Sequence, residues 1–142
     1  MEKEKPGKWI INKKYDGNND VISILLKTLS NISVRMPVPK TAHNNVISRM
    51  SAIAVKVEIY KTAYRINILG IIKFFRYDKL VKVFYVGDNT KDNIGTYMLM
   101  EGSDLPFITY IPGFRGFLST RFVPDENVWR SQVIFNYNFN EI

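Results

Sequence analysis

Lys79-Leu-Val-Lys-Val-Phe-Tyr-Val86, Gly87-Asp-Asn-Thr-Lys-Asp-Asn-Ile-Gly95, Thr96-Tyr-Met-Leu-Met100, Glu101-Gly-Ser-Asp104 and Pro106-Phe-Ile-Thr-Tyr-Ile111 run almost without interruption up to Pro112-Gly113. Three apolar segments alternate here with clusters of Gly, Asp, Asn and Ser. β-Branched and aromatic side chains fill a pleated surface better than a helix, and the polar clusters carry turn chemistry. The stretch therefore reads as consecutive antiparallel strands, and the rest of the chain is placed around them.

Working upstream, Val55-Lys-Val-Glu-Ile-Tyr60 alternates with period two, putting Val55, Val57 and Ile59 on one face of a further strand. Residues 62–78 lie between this strand and the quoted ones. Tyr64, Ile66 and Ile68 alternate as in a strand, whereas Ile68, Ile71, Ile72 and Phe75 recur as in a helix, with Gly70 between. The segment separates two strands that a short loop would have joined, so it is an elaboration. Its apolar residues either cover the sheet or face a partner. Tyr64, Ile68, Ile71, Ile72, Phe74 and Phe75 form the candidate partner surface.

Two helices precede that strand. Ile22, Leu25, Leu26 and Leu29 follow the i, i+3, i+4, i+7 spacing, with Val21, Ile24 and Ile32 widening the stripe, and Asn18 or Asp20 stands ready as a cap. A helix over 20–31 follows, ending before Arg35-Met-Pro-Val-Pro39, whose prolines impose extended backbone. A second, shorter helix capped by Thr41 carries Val46, Ile47, Met50 and Ile53. At the start, Lys8-Trp-Ile-Ile-Asn-Lys-Lys-Tyr15 reads as a short strand closed by Asp16-Gly-Asn-Asn19, with Trp9 as a core anchor, and residues 1–7 read as a mobile leader.

Downstream, Ile111-Pro-Gly-Phe-Arg-Gly-Phe-Leu-Ser-Thr-Arg-Phe122 begins with a turn. Phe114, Phe117, Leu118 and Phe122 then suit a short helical turn packed on the sheet edge. Arg115 and Arg121 are candidate anion contacts beside backbone amides; a salt bridge or a bond to a carbonyl is the structural alternative. Asp125 can cap a helical turn that feeds a strand through Ile134 and Phe135, and residues 136–142 alternate like the start of another. The fold class is α+β: a mainly antiparallel sheet of about five strands with two main helices packed on one face.

The composition fits one domain of ordinary apolar content, with 142 residues of which 46% are hydrophobic. There is no cysteine, which excludes disulfides, thiolate metal sites and a cysteine nucleophile. The net charge of +7 is uneven: residues 1–82 carry 16 Lys and Arg against 6 Asp and Glu, and residues 83–142 carry 4 against 7. The basic half has scattered lysines, with Lys13-Lys14 its one adjacent pair, and lacks the clustered stripe that nucleic-acid binding favours.

No catalytic constellation emerges. The single histidine, His43, has no partner for a metal site and no serine motif for acyl transfer. Asp125 or Glu126 would need a distant second acid for glycoside chemistry, and Gly87, Gly95, Gly113 and Gly116 form no phosphate-cradling pattern. Asp88, Asp92, Glu101 and Asp104 lie in or beside loops, but the Asp-x-Asn-x-Asp-Gly calcium pattern is not met, and they read as solvated turn residues. The expectation is a non-enzymatic protein without metal, cofactor or small-molecule substrate.

Several stretches together resemble a known family. Trp9-Ile-Ile-Asn-Lys-Lys-Tyr15, Pro37-Val-Pro-Lys-Thr-Ala-His43, Val55-Lys-Val-Glu-Ile-Tyr60, Tyr85-Val-Gly-Asp-Asn-Thr90, Gly95-Thr-Tyr-Met-Leu-Met-Glu-Gly-Ser-Asp104, Ile111-Pro-Gly-Phe-Arg-Gly-Phe117 and Trp129-Arg130 with Ile134-Phe-Asn136 are similar in order and spacing to the domain of unknown function 4340, in its Bacteroidetes branch. The resemblance implies an extracytoplasmic or periplasmic domain, anchored to the membrane in the full-length protein, with residues 8–142 as one α+β domain cut short at its C-terminus. It implies no catalytic or ligand-binding residue.

A binding or adaptor module is therefore expected, with an envelope protein or the membrane surface as partner and a loose association with envelope export systems. The alternatives are a basic nucleic-acid-binding domain and a hydrolase of unrecognised type.

Overall fold

The computed structural model describes residues 1–68 and 72–133, and for 65–68 and 72–75 the backbone alone. It is α+β, with two antiparallel sheets of three and five strands. The chain divides into two compact units, one formed by residues 1–31 with 123–142 and the other by 32–122.

The first unit joins residues 1–31 to residues 123–133. Strands β1 (Glu2–Lys5), β2 (Lys8–Ile11) and β3 (Tyr15–Asp16) form the small sheet in that order. Residues 1–7, read from sequence as a leader, thus contribute a strand and a turn, with Gly7 at φ 78°, a left-handed conformation that suits glycine. Helix α1 (Asn19–Asn31) follows, and Asn18 is its cap, accepting from the amide of Asp20 at 3.1 Å and of Val21 at 3.4 Å. Its buried residues are Ile22, Leu25 and Thr28, whereas Ile24 and Leu26, assigned to the apolar stripe, are exposed.

Helix α3 (Glu126–Trp129) is capped by Asp125 as expected, through the amide of Asn127 at 2.9 Å. It returns to the N-terminal strands: Asn18 donates its amide to the Trp129 carbonyl at 2.8 Å and Ser131 to that of Asp16 at 2.7 Å. Trp129 is the buried tryptophan here, its Nε1 donating to the Val123 carbonyl at 2.7 Å, while Trp9, expected to anchor the core, is only half-buried. The strands expected from Ile134 onward lie outside the described residues.

The second unit holds the five-stranded sheet. Strands β4 (Ser33–Pro37), β5 (Val55–Ile68), β6 (Ile72–Asn89), β7 (Thr96–Met100) and β8 (Phe107–Tyr110) pair antiparallel in the order β4-β8-β7-β6-β5. The three consecutive strands read from 79–111 are therefore present, and the proline-constrained 33–37 stretch pairs with β8 at one edge.

Helix α2 (Lys40–Ile53) belongs to the same unit, while two helices packed together on one face, as expected from sequence, are not shown. Val46 and Met50 pack with Val38 and Ile108, and Tyr85, Tyr97 and Leu99 lie against this cluster. Its N-cap is Pro39, without a side-chain bond, and not Thr41 as read from sequence; the fixed φ of proline, here −57°, sets the entry into the helix. Leu118 and Phe122 flank a single 3-10 turn (Ser119–Arg121), and Phe122 meets Phe84 of β6 edge to face at 5.9 Å.

Candidate contact surface

The arm formed by β5 and β6 runs on past their pairing with the rest of the large sheet. β7 accompanies β6 only between Phe84, opposite Met100, and Asn89, opposite Thr96. Beyond that point β5 and β6 continue as a two-stranded ribbon, from Tyr60 opposite Leu80 to Ile68 opposite Ile72. Nine residues per strand at about 3.3 Å each give a reach of roughly 30 Å. The 62–78 segment, whose periodicity admitted helix or strand, is thus a β-ribbon across its described residues, entered through a bulge between Ile59 and Tyr60.

A strand in a covered sheet buries every second residue, but residues 76–82 are exposed without a break. Tyr60 at 53% and Val81 at 57% are more than half exposed, and Tyr64, Tyr77 and Leu80 are exposed as well. Of the predicted partner surface, Tyr64 is thus placed at the exterior. The side chains of Ile68, Ile72, Phe74 and Phe75 and the whole of Ile71 lie outside the described residues. Tyr60, Tyr77, Leu80 and Val81 were not singled out from sequence, because a strand exposed on both faces has no apolar periodicity to betray it.

Register fixes which residues share a face. Lys61 stands opposite Lys79, and Tyr64 opposite Arg76. Two like charges directly across an antiparallel pair are unfavourable, so the lysine pair is no internal contribution to the ribbon. At its root, Tyr60 donates its hydroxyl to Glu58 Oε2 at 2.7 Å, and Lys56 lies 2.8 Å from Glu58 Oε1. The Lys56 ammonium and then the Tyr60 hydroxyl hold the Glu58 carboxyl below the usual range, and the same bond raises Tyr60.

The second feature is an open cleft of about 640 Å³ in the same unit, between α2 and the 90–94 loop. Met36, Val46, Ile94 and Ile108 supply apolar lining, and Arg49 and Lys91 supply charge. Arg49 is bound to Asp88, and the carboxyl of Asp92 is held below its ordinary range chiefly by the Thr90 hydroxyl. Asp88, read as a solvated turn residue, is instead at the end of β6 with its Oδ1 buried and without a hydrogen-bond partner among the described residues.

The two arginines offered as anion contacts do different things. Arg115 is exposed, and Arg121 lies over the Phe114 ring at 4.1 Å, a cation–π contact. His43 is half-buried on α2. Among the described residues no group of three or more His, Cys, Asp or Glu could hold a metal ion, and no described helix is long and apolar enough to cross a membrane. No family model matches the chain, and neither curated proteins nor solved structures return a match to it.

Proposed function

We propose that this protein is a contact module whose working element is the β5–β6 arm, held out from a five-stranded sheet toward another component of the cell envelope. The observation that carries this reading is the ribbon from Tyr60 opposite Leu80 to Ile68 opposite Ile72, exposed along 76–82 and, among the described residues, paired only with itself. Isolated two-stranded hairpins are marginal in water, and contact with another molecule accounts for a long one that has no third strand among the described residues. The resemblance to the domain of unknown function 4340 supports an extracytoplasmic, membrane-associated setting, and the module acts there by binding, without a reaction centre.

The test is site-specific photo-crosslinking in the envelope of cells that make the protein. A photoreactive amino acid in place of Tyr77 is expected to give an adduct, whether to lipid or protein, and one in place of Ser51 on α2 none. Equal yields at the two positions, or no adduct at Tyr77, would reject the arm as the contact element.

A further inference from the structure

We infer that the cleft between α2 and the 90–94 loop binds a small monoanion with an apolar body, a medium-chain or aromatic carboxylate, whose charge meets Lys91 and whose body lies on the row formed by Met36, Ile108 and Tyr97. The site is separate from the β5–β6 arm and stands whether or not the arm is the contact element. Three features carry it.

The first is the floor, which register supplies. Ile108 of β8 stands opposite Met36 of β4 on one side and opposite Tyr97 of β7 on the other, so the three side chains form one row across the sheet. Val46 of α2 and Ile94 of the loop extend this apolar lining. Val46 and Ile108 are buried, but Met36 and Ile94 remain 44% and 38% exposed, so a ligand has apolar surface left to cover. The cleft volume of about 640 Å³ lies within the roughly 300–1,000 Å³ of small-molecule sites.

The second is a loop already ordered. The buried Thr90 hydroxyl accepts the amides of Ile94 and Gly95, each at 3.1 Å, and the Thr90 amide meets the Gly95 carbonyl at 2.9 Å. Binding against Lys91 and Ile94 therefore costs little in fixing the chain that carries them.

The third is charge. Arg49 is neutralised by Asp88. The Asp92 carboxyl is held low by the Thr90 hydroxyl first, with the Ile94 amide, 3.4 Å away, and the Arg35 charge adding to it. Lys91 is the cation left over, with no ion pair among the described residues. Asn45 and Ser48, three residues apart on α2, line the same cleft and make no side-chain hydrogen bond among the described residues. One uncompensated cation and two amphoteric side chains beside an apolar floor complement one carboxylate on an apolar body. Strand addition by a peptide is disfavoured here, because β4, the edge strand that lines the cleft, has a register shift between Val34 and Met36 and ends on Pro37.

The test follows backbone amide shifts of the full chain by heteronuclear NMR during titration with octanoate, naphthoate or octanol. Expected are saturable shifts at Arg49, Lys91 and Ile94 with either carboxylate, and none at Tyr77. Octanol is expected to bind about fivefold more weakly than octanoate, and Lys91→Gln to bring octanoate down to the octanol level. Ser48→Trp, at an exposed position of α2, is expected to fill the cleft and abolish both, with unchanged far-UV circular dichroism.

No saturable shift with either carboxylate, shifts confined to amides outside the cleft, or octanoate affinity unchanged in Lys91→Gln overturns the assignment. Equal affinity for octanoate and octanol overturns its anionic part. A peptide with an apolar C-terminal residue that shifts the cleft amides where both free carboxylates fail would make the occupant a protein tail and overturn the small molecule.

Discussion

A single threonine holds the segment carrying Leu118 and Phe122 against the sheet. The Thr96 side chain is fully buried; its hydroxyl donates to Asn89 Oδ1 at 3.2 Å and accepts the amide of Leu118 at 3.1 Å. Ser119 reaches the same Asn89 oxygen at 2.9 Å, and Thr109 donates to the Thr96 carbonyl at 2.9 Å. Thr96→Val keeps the shape and strands the Leu118 amide, so it is expected to cost about 1–3 kcal/mol in urea unfolding, with Thr96→Ser losing much less. Gly95 beside it is required by space. A Cβ there would lie 2.7 Å from the Thr109 carbonyl oxygen and 2.6 Å from Ile108 Cγ2. Since the first contact is backbone, Gly95→Ala forces the β7–β8 pairing apart, and a loss of about 1–3 kcal/mol is expected by the same measurement. Neither role was legible in the sequence: Thr96 opens a strand, where a polar residue reads as facing water, and Gly95 reads as an ordinary turn residue. What their positions demand is set by neighbours that lie seven to 22 residues away.

The elements were legible where one face is buried and obscure where none is. β7, β8 and the body of β6 show apolar runs between turn clusters because the sheet is covered, and the stripe of α1 shows because Ile22 and Leu25 are buried. The arm obeys no such rule. With residues 76–82 exposed throughout, burial imposes no period there, and the sequence over 62–78 admitted a helix or a strand. Of the candidate surface, Tyr64 is the member whose side chain is described, and it is exposed, while the facing of Lys61 and Lys79 depends on a register that spacing alone does not define. Lys79→Glu separates fold from binding at this scale. Opposite Lys61 it creates an attractive pair worth about 0.2–1 kcal/mol, so the amides of the ribbon are expected to exchange more slowly. The adduct yield from a photoreactive residue at position 77 is expected to fall in the same variant. Slower exchange with unchanged yield would mean that Lys79 plays no part in the contact.

At the scale of the whole molecule, the least legible feature is that residues 1–31 and 123–133 belong to one unit. Periodicity is local, and no spacing announces that Gly17 pairs with Arg130 or that Asn18 binds the Trp129 carbonyl. The consequence is testable because both tryptophans of the chain, Trp9 and Trp129, fall in that unit and none in 32–122. Tryptophan emission therefore reports the first unit alone, while far-UV circular dichroism also follows the five strands and α2 of the second. Each unit has buried side chains of its own, Ile11, Ile22 and Trp129 in one and Val46, Met50, Phe84 and Ile108 in the other. Coincident transitions are the mark of two-state unfolding, and two units with separate cores are expected to break that coincidence. Thr96→Val supplies the discriminating comparison: it should move the midpoint seen by circular dichroism to lower urea and leave the tryptophan midpoint in place. Equal displacement of both curves would make the chain one cooperative unit, in which a hydroxyl buried under Leu118 stabilises the strands β1 to β3 as much as its own sheet.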